Sequence, residues 1–379
     1  MDDLRRDYLE QIRRDGVDLS PELAAAFAGV PREAFVPGGF QRRDGAWADP
    51  GDPDFLRLVY RDDVLVTKLD NRIPVSSSSQ PSLMAIMIRA LRVRPGMRVL
   101  EIGAGTGYNA ALLASLGAAV TSVEVQADVA DRARAALASA HIEGVRVEPA
   151  DGYAGFPSGR FDRVIVTVGI AGVSPLWLDQ LERGGLIVAP VEHAGTHPVL
   201  SIRPADGRAR PGSLADLEAG GPLTASVICP AGFMTAAGPL TAAHASAFPP
   251  PAAAGTLAGL TGFAPRRFDP ALDSYGYRDL WYAAGVWSRR ATHAAVPGRE
   301  QSCLVLIDEA RTGGAVILPD GSVLATGAEA DRYGAEAVAT VDRWTAAGRP
   351  PMQAWRVGFG LTGDARAPIW APDSWELPT

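Results

Sequence analysis

The chain has 379 residues, 47% of them hydrophobic, which is ample for a sizeable core and suits two domains or one with a large appendage. Its 41 glycines and 30 prolines stay below the roughly 25–30% share that marks disordered chains. A net charge of −7, with no Lys/Arg run longer than two, argues against a nucleic-acid or anionic-membrane surface.

Residues 1–37 read as helical, with Leu4, Tyr8, Ile12 and later Leu23 and Phe27 spaced for one buried face. The opening MDDLRRDYLEQIRRDG is charged, unlike a signal peptide. Ser20 before Pro21 reads as a hydroxyl cap followed by a first-turn proline. Residues 38–54 are punctuated by Gly, Asp and Pro and predict a loop, and LVYRDDVLVTKL (58–69) offers a short strand. From 99 onward, apolar runs at 99–102, 120–125, 145–148, 163–168 and 186–191 alternate with helical stretches near 107–117, 127–140 and 174–182. That alternation predicts a parallel sheet covered on both faces.

The texture changes after about 203. The expected domains are an N-terminal helical or lid region at 1–74, a Rossmann-like cofactor domain at 75–205, a linker or loop at 206–221, and an α+β extension at 222–379. The extension holds six of the eight tryptophans, a β element turning at Pro319-Asp320-Gly321, a helix in GAEADRYGAEAVATVDRWTAAG, and a low-complexity stretch at 247–254. Cys229 and Cys303 build neither a disulfide framework nor a cysteine zinc site, which fits a reducing, cytoplasmic compartment. No apolar stretch approaches the ~18–20 residues of a membrane span. The histidines show no metal spacing: His193 and His197 flank Gly195 and do not share a helix.

The sharpest feature is VLEIGAGTGY (99–108), a strand running into a turn with Gly103, Gly105 and Gly107. Such glycines allow tight turning and close backbone approach to a ligand. Seventeen residues past Gly107, Glu124 ends the next apolar run, where a carboxylate can accept both hydroxyls of a ribose. A dinucleotide loop would put glycine at 108, where this chain has Tyr108. The pattern beginning at Glu101, E-x-G-x-G-x-G, is similar to the S-adenosylmethionine loop of Rossmann-like methyltransferases. Asp151-Gly152 follows the third strand, either as an ordinary turn or as a group on the adenine edge.

Upstream lies VSSSSQPSLMA (75–85), leading into an amphipathic helix. Ser79 with Pro81 two places on reads as a capped helix start. On the residues alone it is either that cap with spare hydroxyls, or a carboxylate site built from hydroxyls, backbone N–H groups and the helix dipole.

With these motifs in order, the chain resembles the protein-L-isoaspartate O-methyltransferases. Their Thr-Ile-Ser-x-Pro segment corresponds to residues 77–81, VPREAFVP (30–37) is similar to their upstream motif, and Asp151-Gly152, Phe161-Asp162 and QLERGGLIVAPV (180–191) follow in the family's order. The resemblance implies a substrate-contacting serine at Ser79, with Ser77 in place of the threonine. It also implies S-adenosylmethionine held by Glu101, Gly103, Gly105, Gly107, Glu124, Asp151 and Gly152, no metal, and a peptide or protein partner bearing Asp or isoAsp. The serine at 78 and some 170 added C-terminal residues look like the branch that methylates an aspartate of a ring-constrained ribosomal peptide (graspetide, lanthipeptide or lasso type). There the ester collapses to an aspartimide. Repair of L-isoaspartyl sites in damaged proteins is the alternative, and a cofactor-binding scaffold without catalysis is a third.

The chemistry asks little of side chains. An acceptor carboxylate is ionised at neutral pH, so methyl transfer to it needs no general base. Positioning two reactants for in-line attack is worth on the order of 7–11 kcal/mol.

Overall fold

In a computed structural model, the described residues are 2–14, 16–205, 223–241, 257–299, 301–308 and 310–378. The expected linker at 206–221 and the low-complexity stretch at 247–254 lie outside them. Helix α1 (Asp2–Arg13) and α2 (Pro21–Gly29) open the chain, and Ser20 caps α2 by accepting the Leu23 N–H. The region expected to be a loop carries two short strands, β1 (Phe40–Gln41) and β2 (Trp47–Ala48). After α3 (Phe55–Val59), the hairpin β3 (Leu65–Asp70) and β4 (Ile73–Ser78) completes a four-stranded sheet ordered β2-β1-β3-β4.

The alternating units follow: α4 (Pro81–Leu91), β5 (Arg98–Ile102), α5 (Tyr108–Ser115), β6 (Ala119–Glu124), α6 (Ala127–Ser139), β7 (Val145–Pro149), β8 (Phe161–Val166), α7 (Pro175–Gln180) and β9 (Leu181–Pro190). These five strands pair in parallel, as expected, in the order β7-β6-β5-β8-β9. Beyond β9 the sheet continues antiparallel through β10 (Val199–Pro204) and β11 (Leu223–Cys229). A smaller five-stranded sheet combines β12 (Thr261–Ala264), β13 (Ala291–Ala294), β14 (Cys303–Ile307), β15 (Gly314–Ile317) and β16 (Val323–Thr326), with α8 (Ser274–Trp287) and α9 (Ala330–Ala346). The final hairpin, β17 (Arg356–Asp364) and β18 (Ala367–Glu376), returns to β11, so the large sheet has nine strands. It is a doubly wound α/β fold with N-terminal helices and an α+β C-terminal part.

Strand residues alternate between the two sheet faces. Leu100, Ile102, Val164, Val166, Ile187 and Ala189 belong to one buried cluster; Val99, Ile165, Leu186 and Val188 belong to the other. The N-terminal helices and α4–α6 cover the second face. The first is continuous with the C-terminal part: Trp281, Trp344, Trp355 and Trp370, each at most 3% exposed, share its cluster with the strands. These four tryptophans therefore join the added elements to the central sheet.

Candidate active site

The glycine turn sits at the carboxyl end of β5, between β6 and β8, where the strand order reverses and ligands bind in open α/β sheets. Gly103 and Gly105 have φ of 95° and 53°. A Cβ on Gly103 would stand 2.8 Å from Thr167 Oγ1, and one on Gly105 would stand 3.1 Å from the Ser77 carbonyl oxygen. The turn is thus wedged between the end of β8 and the serine run, and the left-handed φ at both positions adds to the preference for glycine. Gly107 is the left-handed residue that opens α5.

Glu124 ends β6 and is 6% exposed. One carboxylate oxygen accepts the Gly105 N–H at 3.0 Å and the other the Gln126 N–H at 3.1 Å. Each oxygen retains acceptor capacity, so the carboxylate is aimed and still able to take hydroxyl groups. Val125 beside it is 55% exposed and presents an apolar surface that sequence reasoning passed over.

Glu101 behaves differently. It is 0% exposed, and its oxygens accept from Asn109 Nδ2 and Ser122 Oγ. Burial pushes its carboxyl up to about 7; the bonds from Ser122 and Asn109 oppose the rise, and the Glu124 charge adds to it. It braces the turn from behind, unlike the cofactor-contacting place expected for it. Asp151 is exposed and caps the short turn Gly152–Ala154 by accepting the Tyr153 N–H at 2.9 Å. The Gly152 carbonyl accepts the Trp177 indole N–H at 2.8 Å. The turn reading of Asp151 is therefore realised, with an exposed carboxylate left beside it.

The serine run departs from expectation in its local geometry. Ser76, Ser77 and Ser78 end β4, paired with β3, so the helix begins two residues past Ser79, at Pro81. Its N-cap residue is Gln80, which makes no side-chain cap bond. Asp62 does the capping instead: its Oδ1 accepts the Ser82 N–H at 2.7 Å and its Oδ2 accepts Gln80 Nε2 at 2.9 Å. A carboxylate of the chain already occupies the helix start, because the dipole favours one there. The hydroxyls of Ser77 and Ser79, both half-buried, make no hydrogen bond among the described residues. Ser78 Oγ is buried with no partner.

Arg32, from VPREAFVP, is 0% exposed and ties this region together. Its guanidinium donates to the carbonyls of Val59 and Arg61 at 2.8 Å, Asp63 at 2.9 Å and Ser79 at 3.1 Å. A cavity of about 80 Å³ lies where three separated motifs meet, lined among others by Phe35, Gly38, Thr67, Ser76, Gly105 and Thr106. A larger cleft of about 720 Å³, near His193 and Trp375, contains none of the residues chosen from sequence.

The C-terminal part also reaches the segment that follows the carboxyl end of β8. Gly169 N–H donates to Met234 O, Ala236 N–H to Gly169 O, and Ala171 N–H to Leu240 O, each at 2.8 Å. These are backbone contacts, which leave no side-chain signature in sequence. Among the described residues, no group of three His, Cys, Asp or Glu could hold a metal, and no helix is long and apolar enough to cross a membrane.

A doubly wound sheet with a three-glycine turn at its reversal point and a carboxylate ending the next strand has the fold of S-adenosylmethionine-dependent methyltransferases. The model of the family Protein-L-isoaspartate(D-aspartate) O-methyltransferase matches residues 4–209. The chain is 38% identical over 186 residues to the protein-L-isoaspartate O-methyltransferase of Gloeobacter violaceus, covering 48% of this chain and 79% of that one. The enzyme of the same name from Methanoculleus marisnigri is 35% identical over 202 residues, covering 52% and 81%. A solved structure of a protein-L-isoaspartate O-methyltransferase aligns over 97% of this chain and 99% of its own, with TM-score 0.52 and 24% identity, which is a likeness of fold. The chain belongs to the protein-L-isoaspartate O-methyltransferase family and is a carboxyl O-methyltransferase that uses S-adenosylmethionine.

Proposed function

We propose that the protein methylates the side-chain carboxylate of L-isoaspartyl residues in damaged proteins, the repair reaction. The observation that carries this reading is the meeting of VPREAFVP, the serine run and the glycine turn: Arg32 holds the Ser79 carbonyl, and Gly105 lies against the Ser77 carbonyl. S-adenosylmethionine, when bound, supplies the methyl group. The residues fit it: Glu124, aimed by two backbone N–H groups, takes the ribose hydroxyls, Val125 offers an apolar face to the base, and the turn at 103–107 leaves its backbone open to the amino-acid end. Asp151, exposed beside its turn, would offer its free carboxylate oxygen to the adenine edge.

The acceptor is held rather than activated, since its carboxylate needs no base. Ser77 and Ser79 supply hydroxyl donors, while the α4 N-terminus is closed to the acceptor by Asp62. Arg32 fixes the Ser79 backbone and through it the hydroxyl's position. Two unpaired cysteines fit action in the reducing cytoplasm.

The peptide-maturation reading, with an aspartate in a macrocyclic precursor esterified and then closed to aspartimide, rests on the four-serine run and the added C-terminal part. The relatives support repair better. They are named for isoaspartate, and a solved protein-L-isoaspartate O-methyltransferase shares a like fold over 97% of this chain. The addition therefore does not by itself call for a ring-constrained substrate.

Mass spectrometry after incubation with S-adenosylmethionine tests the proposal, using a linear isoaspartyl peptide, its aspartyl twin and a ring-closed precursor. Gain of one methyl group on the isoaspartyl peptide alone supports repair. Methylation and then loss of water on the ring-closed peptide alone would replace repair by maturation. Cofactor binding without methylation of any peptide would leave only a scaffold.

A further inference from the structure

Of the 36 cationic side chains, Lys68 is the sole lysine. It projects from β3, the partner of the serine-bearing β4, and its Nζ reaches the start of α6. There it donates to Asp128 Oδ1 at 2.7 Å, Asp128 Oδ2 at 2.8 Å and Gln126 Oε1 at 2.8 Å, with 27% of the side chain exposed. Gln126 passes the contact on in two directions. Its Nε2 donates to the Val75 carbonyl at 2.9 Å, tying down β4, and its backbone N–H donates to Glu124 Oε1 at 3.1 Å. Glu124 Oε2 in turn accepts the Gly105 N–H, and Gly105 lies against the Ser77 carbonyl. The contacts form a closed circuit from hairpin to ribose carboxylate to glycine turn and back to the serine run.

We propose that Lys68 is a positioning residue that latches the serine hairpin to the cofactor-side loop, so that binding of acceptor and of cofactor reinforce one another. This rests on the methyltransferase site described above. The ammonium suits the task because its three donors point apart and can serve Asp128 and Gln126 together. A planar guanidinium would favour the two Asp128 oxygens and leave the amide free to turn. By accepting from Lys68 through Oε1, Gln126 keeps Nε2 facing Val75. The hydrogen bond from Lys68 also holds the Asp128 carboxyl below the usual carboxylate range. Arg132 bonds the same carboxylate at 2.8 Å, so loss of Lys68 leaves Asp128 paired. The latch is therefore worth little to stability, as for other exposed ion pairs, while it governs how the two halves of the site face each other.

The test uses the full chain, with S-adenosylhomocysteine and an isoaspartyl peptide as probes. Titration calorimetry gives the S-adenosylhomocysteine affinity with and without peptide for the wild type, Lys68→Met and Lys68→Arg; steady-state kinetics gives the acceptor KM, and melting gives Tm. In the wild type, the peptide should tighten S-adenosylhomocysteine binding. Lys68→Met should cut that coupling about 5-fold and raise the acceptor KM, with Tm and peptide-free S-adenosylhomocysteine affinity nearly unchanged. Lys68→Arg should recover part of the coupling. Wild-type coupling and KM in Lys68→Met would overturn the latch. So would an absence of coupling in the wild type, or a fall in Tm with equal weakening of both ligands. Failure of the wild type to bind S-adenosylhomocysteine at all would instead overturn the reading of the site, and the latch with it.

Discussion

The buried Glu101 makes the stability of this fold depend on pH in a calculable way. Its carboxyl is 0% exposed and pushed from 4.5 up to about 7, chiefly by burial. The folded protein therefore keeps a proton that the unfolded chain releases at lower pH. Stability from this group is fully present below about pH 4.5, declines as pH rises, and is gone above about pH 7. That rise corresponds to about 3 kcal/mol. Glu101→Gln removes the titration and keeps an oxygen for the Asn109 amide, while its new N–H₂ can donate to Ser122 Oγ. Urea unfolding of both proteins across that range should show the variant gaining on the wild type as pH rises, by about 3 kcal/mol in all, then levelling. A difference that stays flat with pH would refute the buried-carboxyl argument. A variant that lost ground with rising pH would mean that the ionised form is the one the fold prefers.

Arg32→Met should cost about 3 kcal/mol or more, because four backbone carbonyls lose a shared donor; Tm and urea midpoints measure it. Ser78→Ala should leave stability unchanged or raise it by about 1 kcal/mol, since the buried hydroxyl has no partner. A clear loss would mean that the hydroxyl is engaged. Glu124→Ala should weaken S-adenosylhomocysteine binding by about 10- to 100-fold, the worth of hydrogen bonds to a charged acceptor. Ser79→Ala should lower methylation with little change in that affinity, and equal loss of both would remove Ser79 from the acceptor side.

Much of the candidate site's framework was legible in the sequence. The glycine turn, Glu124 and the order of later motifs rest on short-range patterns: a strand of alternating faces, a turn that tolerates only glycine, a helix start. Ser20 capped α2 as read because cap and helix are contiguous. The same logic misplaced the cap at Ser79. Pairing of β4 with β3 draws the serines into a sheet, and the vacated helix start is taken by Asp62, eighteen residues before Gln80 and brought near only by the tertiary fold. Glu101 was grouped with cofactor ligands by its place in a motif, and strand alternation turned it under α5 instead.

By itself, the sequence determined the doubly wound core, its five strands, the glycine turn after the first of them, and, through its ordered motifs, the family. Each follows from period-two burial or from local backbone demands written in consecutive residues. The tertiary structure alone decided how the C-terminal part joins. Strands β11, β17 and β18 extend the sheet from the free edge of β10 through backbone hydrogen bonds, which any sequence can make and none announces. It alone also brought Lys68, Gln126 and Asp62 to the serine run. Those contacts join side chains that are distant in the chain, and no periodicity encodes them.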